Sequence, residues 1–175
     1  QRRAAEILLR LKRVKGVIMK KLNTCLWFDG NAEEATKFYA SVFKGAKIVD
    51  TLRYGDAGPG PKGDVLVSTI DIGGHEIVAI NGGPHYKLTP ASSLFVVCED
   101  QAEVDRYWDK LSAGGEIMQC GWLTDKFGVT WQIVPDGLME MHKDKNPKKA
   151  AAVMQTMMTM KKLDIHALKR AYEAA

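Results

Sequence analysis

A repeated order of elements constrains this chain more than any other feature. Leu22–Phe28 is an apolar run ending at Asp29-Gly30-Asn31, which predicts a strand and then a turn whose Asn31 caps a helix. That helix, Ala32–Phe43, carries Ala35, Phe38, Tyr39, Val42 and Phe43 at spacings of three and four, one apolar stripe for a sheet. Gly45 stops it, and Lys47–Tyr54, Asp64–Ile72 and His75–Asn81 read as strands. The glycine- and proline-rich loop 55–61 separates the first two, and the Gly73-Gly74 hairpin joins the last two. The order then recurs. Ser92–Cys98 reads as a strand and Gln101–Ala113 as a helix bearing Val104, Tyr107, Trp108 and Leu111, stopped at Gly114-Gly115. Strands Ile117–Leu123 and Gly128–Val134 come next, joined by residues 124–127. The two helices end about 65–70 residues apart, a repeat of order rather than of letters.

The ends read differently. Residues 1–18 hold Ile7, Leu8, Leu11, Val14 and Ile18 at helical spacing among arginines and lysines, a basic amphipathic extension, with Met19 a natural start for the domain. After Pro135 the chain is predicted helical again, from Asn146-Pro147 through Met154, Met157, Met158 and Met160 to Leu163. Asp164 then caps a last helix, Ile165–Ala174. Methionines at that spacing suit flexible packing against the domain or a dimer partner. The expected organisation is an extension over 1–18, a domain over 19–136 and C-terminal helices over 137–175.

Composition narrows the function classes. With 175 residues and 46% hydrophobic content, one domain buries a sufficient core unaided. Cys25, Cys98 and Cys120 form no CxxC pair, which predicts a reducing, cytoplasmic setting. No apolar run reaches membrane-spanning length and no export signal is legible, so neither membrane insertion nor export is expected. The net charge of +4 comes from the two ends, which argues against a nucleic-acid groove.

Four blocks carry a resemblance. They are Leu26–Ala35 with Phe38-Tyr39 and Val42-Phe43, then Asn81–Lys87, then Glu103–Trp108 with Leu111, and finally Gln119–Pro135. Together they resemble the PhnB-like branch of the vicinal-oxygen-chelate (glyoxalase, bleomycin-resistance protein and dihydroxybiphenyl dioxygenase) superfamily. The resemblance implies an α+β fold of two βαβββ modules forming a curved mixed sheet around one cleft, and a homodimer.

It also implies where a metal would sit in the superfamily's enzymes: on the first and last strands of each half. Counting from Phe38-Tyr39 places Thr24 and Ser93 at the first-strand positions, with Gln132 and Ala79 on the last strands. Such sites need His, Glu or Gln as ligands; Thr24, Ser93 and Ala79 are none of these and the single amide of Gln132 cannot hold an ion, so no metal or other cofactor is expected. Around the same cleft, Trp27, Trp122 and Trp131 offer rings, and Asn81, Ser93 and Gln132 offer polar points for a flat or amphipathic small molecule. Core packing is the default for any one tryptophan. His85 is a general-base or anchor candidate at the cleft mouth, against the plainer reading of a solvated loop imidazole.

Two classes of function are compatible with this pattern: a metal-free binding protein for a small molecule, or an enzyme of lyase or dioxygenase type on a small metabolite. A purely structural role is favoured if the tryptophans fill the cleft. The family's inherited label, 3-demethylubiquinone-9 3-methyltransferase, finds no glycine-rich cradle for S-adenosylmethionine in alternating β and α units.

Overall fold

The computed structural model describes residues 22–175; the predicted extension over 1–18 lies outside them. The first half runs β1 (Thr24–Phe28), α1 (Ala32–Val42), β2 (Lys47–Arg53), β3 (Val65–Ile72) and β4 (His75–Asn81). The second runs β5 (Ser93–Cys98), α2 (Gln101–Ser112), β6 (Glu116–Ile117), β7 (Trp122–Thr124) and β8 (Thr130–Pro135). Three helices close the chain: α3 (Leu138–His142), α4 (Pro147–Met158) and α5 (Ile165–Glu173).

Each half makes a four-stranded mixed sheet, ordered β1-β4-β3-β2 and β5-β8-β7-β6. The first and last strands of each half pair in parallel, and the remaining pairs are antiparallel. Both halves therefore have the predicted βαβββ form, with β1 and β5 at sheet edges.

The helix-facing sides of the sheets share one core. Tyr39 of α1 and Trp131 of β8 are buried and meet edge-on, ring centroids 5.2 Å apart, and Phe43 stacks beside Tyr107 at 4.8 Å. Asp125 joins the halves. Its buried carboxylate accepts from the Tyr39 hydroxyl and the Trp131 indole, each at 2.8 Å, and from the backbone N–H of Phe127 and Val129. Burial pushes this carboxyl above the usual range, and the hydrogen bonds pull it back only in part.

Two local expectations are corrected. Asn31 makes no capping bond; the first N–H of α1, on Ala32, donates to Asn81 Oδ1 at 2.9 Å, and Asn81 Nδ2 donates to Val65 O. The single strand predicted over 117–123 is two short ones. Between them Cys120 and Gly121 take positive φ angles of 59° and 82°, and their N–H groups donate to Met160 O and Lys161 O.

That diversion fixes the C-terminal helices. The helix predicted to reach Leu163 stops at Met158, so that residues 160 and 161 present carbonyls to Cys120 and Gly121. Gln101 bridges the same segment, donating to Leu163 O and accepting from Ile165 N. Val134, Leu138, Val153, Leu163 and Leu168 form a second buried cluster. The helices lie on the second sheet of their own chain.

Candidate functional site: two open sheet faces and their grooves

Strand alternation assigns every candidate to a face. In β1, Leu26 and Phe28 are buried against the helices, which puts Thr24 on that core side and Asn23, Cys25 and Trp27 on the open side. In β4, Ile77 and Ala79 face the core; Glu76, Val78 and Ile80 are open. In β5, Cys98 is buried and Leu94 and Val96 pack on the core, whereas Phe95 and Val97 are 51% and 55% exposed alongside Ser93. In β8, Trp131 and Ile133 are core, and Gln132 and Val134 open.

Superposing the halves by their core residues makes Asn23 the counterpart of Ser93, and Val78 that of Gln132. The polar contacts agree with that register: Asn23 Nδ2 donates to Glu76 at 2.9 Å, and Gln132 Nε2 donates to Ser93 Oγ at 2.8 Å. Thr24 and Ala79, placed by counting, sit one residue off the open face. The four equivalent positions therefore read Asn23, Val78, Ser93 and Gln132. Amide, alkyl and hydroxyl groups are weak ligands for a divalent ion, and Glu76 supplies a single carboxylate beside them. Among the described residues no three His, Cys, Asp or Glu side chains converge as a metal site would require.

The eight sequence candidates do not share one concavity. Thr24, Ser93 and Trp131 border an open groove of about 680 Å³ between β1 and β5, where Thr24 Oγ1 lies 2.9 Å from His75 Nε2. Asn81 lines a surface groove of about 450 Å³ beside Arg53 and Tyr54. Trp27 donates to Gly83 O at 2.8 Å and meets Tyr86 edge-on. His85 is exposed on the loop after β4. Trp131 is 2% exposed and engaged with Asp125.

Trp122 and Gln132 lie together in an open groove of about 310 Å³ on the open face of the second sheet. Phe95 and Val134 continue its floor, and Leu138, Met139, His142, Met154 and Met157 of the C-terminal helices line its other side. Cys120 closes one side, its thiol 3.7 Å from Met157 O and from Met158 Sδ. Both ring nitrogens of His142 are buried without a hydrogen-bond partner. A buried unpaired polar group costs about 1–3 kcal/mol. His142, to which the sequence pattern assigns no role, reaches this groove because α3 follows directly on β8. The other buried nucleophile is quiet, since burial pushes the Cys98 thiol up to about 12.

Comparisons with known proteins bear on this geometry. The family described as 3-demethylubiquinone-9 3-methyltransferase matches residues 20–134, which leaves the C-terminal helices outside the match. A PhnB protein from Bacillus cereus is 38% identical over 66% of this chain and 99% of its own, with a TM-score of 0.62. A protein from Pseudomonas aeruginosa is 25% identical over 67% and 99%, at 0.56. The fosfomycin resistance protein FosX from Listeria monocytogenes shares the fold at 18% identity over 73% and 100%, at 0.54. No curated protein matches.

Proposed function

This chain belongs to the PhnB-like family, whose description is 3-demethylubiquinone-9 3-methyltransferase, within the vicinal-oxygen-chelate superfamily, and from that premise we propose that it is a metal-free binding protein for a small organic molecule held on its open sheet faces. The observation that carries this reading is the set Asn23, Val78, Ser93 and Gln132 at the positions where the superfamily's metal enzymes place their ligands. Ser93 and Gln132 satisfy each other at 2.8 Å. A polar pair flanked by Phe95 and Trp122 is suited to orienting an organic ligand.

The family description names a methyl transfer, and the chain offers that chemistry little support. The turn after β1 is short, and the N–H opening α1 is already engaged by Asn81. A nucleotide-type cofactor needs such N–H groups free at a helix start.

A homodimer belongs to the same proposal. Among the described residues β1 and β5 lie at sheet edges, and Val97 and Leu52 are more than half exposed; a second copy would cover both. Three free cysteines suit a reducing, cytoplasmic setting. No helix among the described residues is long and apolar enough to cross a membrane.

Elemental analysis of the purified protein, with native mass spectrometry on the same sample, tests the reading. The expected result is less than about a tenth of a divalent metal per chain and a dimer mass, with an organic passenger if the ligand is retained. About one zinc, nickel, manganese or iron per chain would overturn it in favour of a metalloenzyme.

A further inference from the structure

We propose that the thiol of Cys120 and the thioether of Met158 form a binding site for copper(I), a monovalent soft metal ion. The site is independent of the small-molecule reading. It lies off the four positions where the superfamily's enzymes hold a divalent ion.

The thiol does not stand alone, because Cys120 Sγ lies 3.7 Å from Met158 Sδ. With metal–sulfur bonds of about 2.3 Å, sulfurs at that separation subtend roughly 107° at a shared ion, close to a tetrahedral angle. Met158 is 59% exposed, so its flexible side chain can widen that angle without moving the core. Met154, 43% exposed, stands one helical turn before Met158 on the same face of α4 and lines the same groove as Cys120, which offers a second thioether on that side. Backbone holds the pair in place. Cys120 and Gly121 donate their N–H groups to Met160 O and Lys161 O at 2.8 and 2.7 Å, which fastens the segment carrying the thiol to the residues that follow Met158. Two ligands already adjacent lose little freedom on binding.

The donor set selects the ion. Thiolate and thioether are soft ligands and favour copper(I) over harder divalent ions. Zinc takes four nitrogen, oxygen or thiolate donors; no Asp or Glu lines the groove beside Cys120, and the ring nitrogens of His142 are buried. On binding, the Cys120 thiol releases its proton to solvent as the Cu–S bond forms, the Met158 thioether adds a lone pair, and copper stays in the +1 state throughout.

Cys25 is exposed and Cys98 buried, so the test uses full-length protein carrying Cys25→Ser, which removes the competing surface thiol. Copper(I) in acetonitrile is titrated anaerobically against a chromogenic copper(I) chelator, and the methionine methyl groups, labelled with carbon-13, are followed by NMR. The expected result is one copper(I) per chain, with the Met158 methyl shifting most among the eight methionines. Met158→Leu should weaken binding at least about tenfold, Cys120→Ser should abolish it, and zinc(II) should leave every methionine methyl in place. Melting temperatures of the ion-free variants, expected within about 2 °C of the parent, separate a lost ligand from a lost fold. Should either variant unfold, the Met158 methyl shift in the parent decides the outcome. An affinity unchanged by Met158→Leu, a Met158 methyl that does not move, zinc uptake at equal affinity or no copper(I) uptake would each overturn the proposal. The small-molecule reading is judged separately, by divalent metal content and passenger mass.

Discussion

Asp125→Ala is expected to remove about 3–5 kcal/mol of folding stability and to lower the melting temperature by roughly 10 °C, more than any other single change in the sheets or their loops. Four donors converge on this carboxylate: the Tyr39 hydroxyl from the first half, the Trp131 indole from the second, and the N–H groups of Phe127 and Val129 in the loop between β7 and β8. Alanine leaves all four buried without an acceptor. The cost is that of several orphaned groups rather than of one lost bond.

Asp125→Asn sharpens the test. One amide oxygen can still serve the two backbone donors, but the amide nitrogen would then face the Trp131 N–H, donor against donor. Its expected cost is about 2–3 kcal/mol. Urea unfolding followed by tryptophan fluorescence measures both variants. A loss below about 1 kcal/mol for Asp125→Ala would mean that the two halves are held by ring packing alone. Because the Tyr39 hydroxyl donates directly to Asp125, the double substitution Tyr39→Phe with Asp125→Ala should cost clearly less than the sum of the single changes.

Much of this architecture is legible in the sequence because periodicity reports burial directly. The stripe Ala35, Tyr39, Val42 in α1 and Val104, Tyr107, Trp108, Leu111 in α2 is the buried one. The hairpin glycines 73 and 74 both take positive φ. What failed was register. Counting from Phe38-Tyr39 carries Thr24 into the site, yet Leu26 and Phe28 are buried, and alternation from them gives Asn23. A count across a turn and a helix accumulates errors of one residue; alternation within the strand does not.

Other misses were tertiary. Asn31 stands where a cap belongs, but Asn81, at the end of a strand 50 residues on, reaches the same N–H. The run 117–123 is apolar enough for a strand, yet its middle gives two N–H groups to residues 160 and 161, a competition no local pattern records. The groove at Trp122 and Gln132 is illegible for the same reason: its floor comes from β5, β7 and β8 and its other side from helices that the sequence places on the domain or a partner without a position.

The placement of these helices hangs on one glycine. At Gly121 φ is 82°, and an added Cβ would lie 2.7 Å from Ile133 O and 3.0 Å from Leu163 Cδ1. Gly121→Ala is therefore expected to cost about 2–4 kcal/mol, through left-handed backbone strain plus a contact with backbone that cannot yield. Much of the relief should come from releasing the 160–163 segment, because Leu163 moves more easily than β8. The measurable consequence is loss of hydrogen-exchange protection across α4 and α5 while β1–β4 keep theirs. Gly128→Ala supplies the control. Its φ is 86° and its Cβ would meet nothing within 4 Å, so it carries only the backbone term, about 1–2 kcal/mol, and should leave both helices intact. If the two variants behave alike, the C-terminal helices are held by their own packing of Val153, Leu163 and Leu168. If only Gly121→Ala releases them, the left-handed pair at 120 and 121 is the latch that holds these helices on the second sheet.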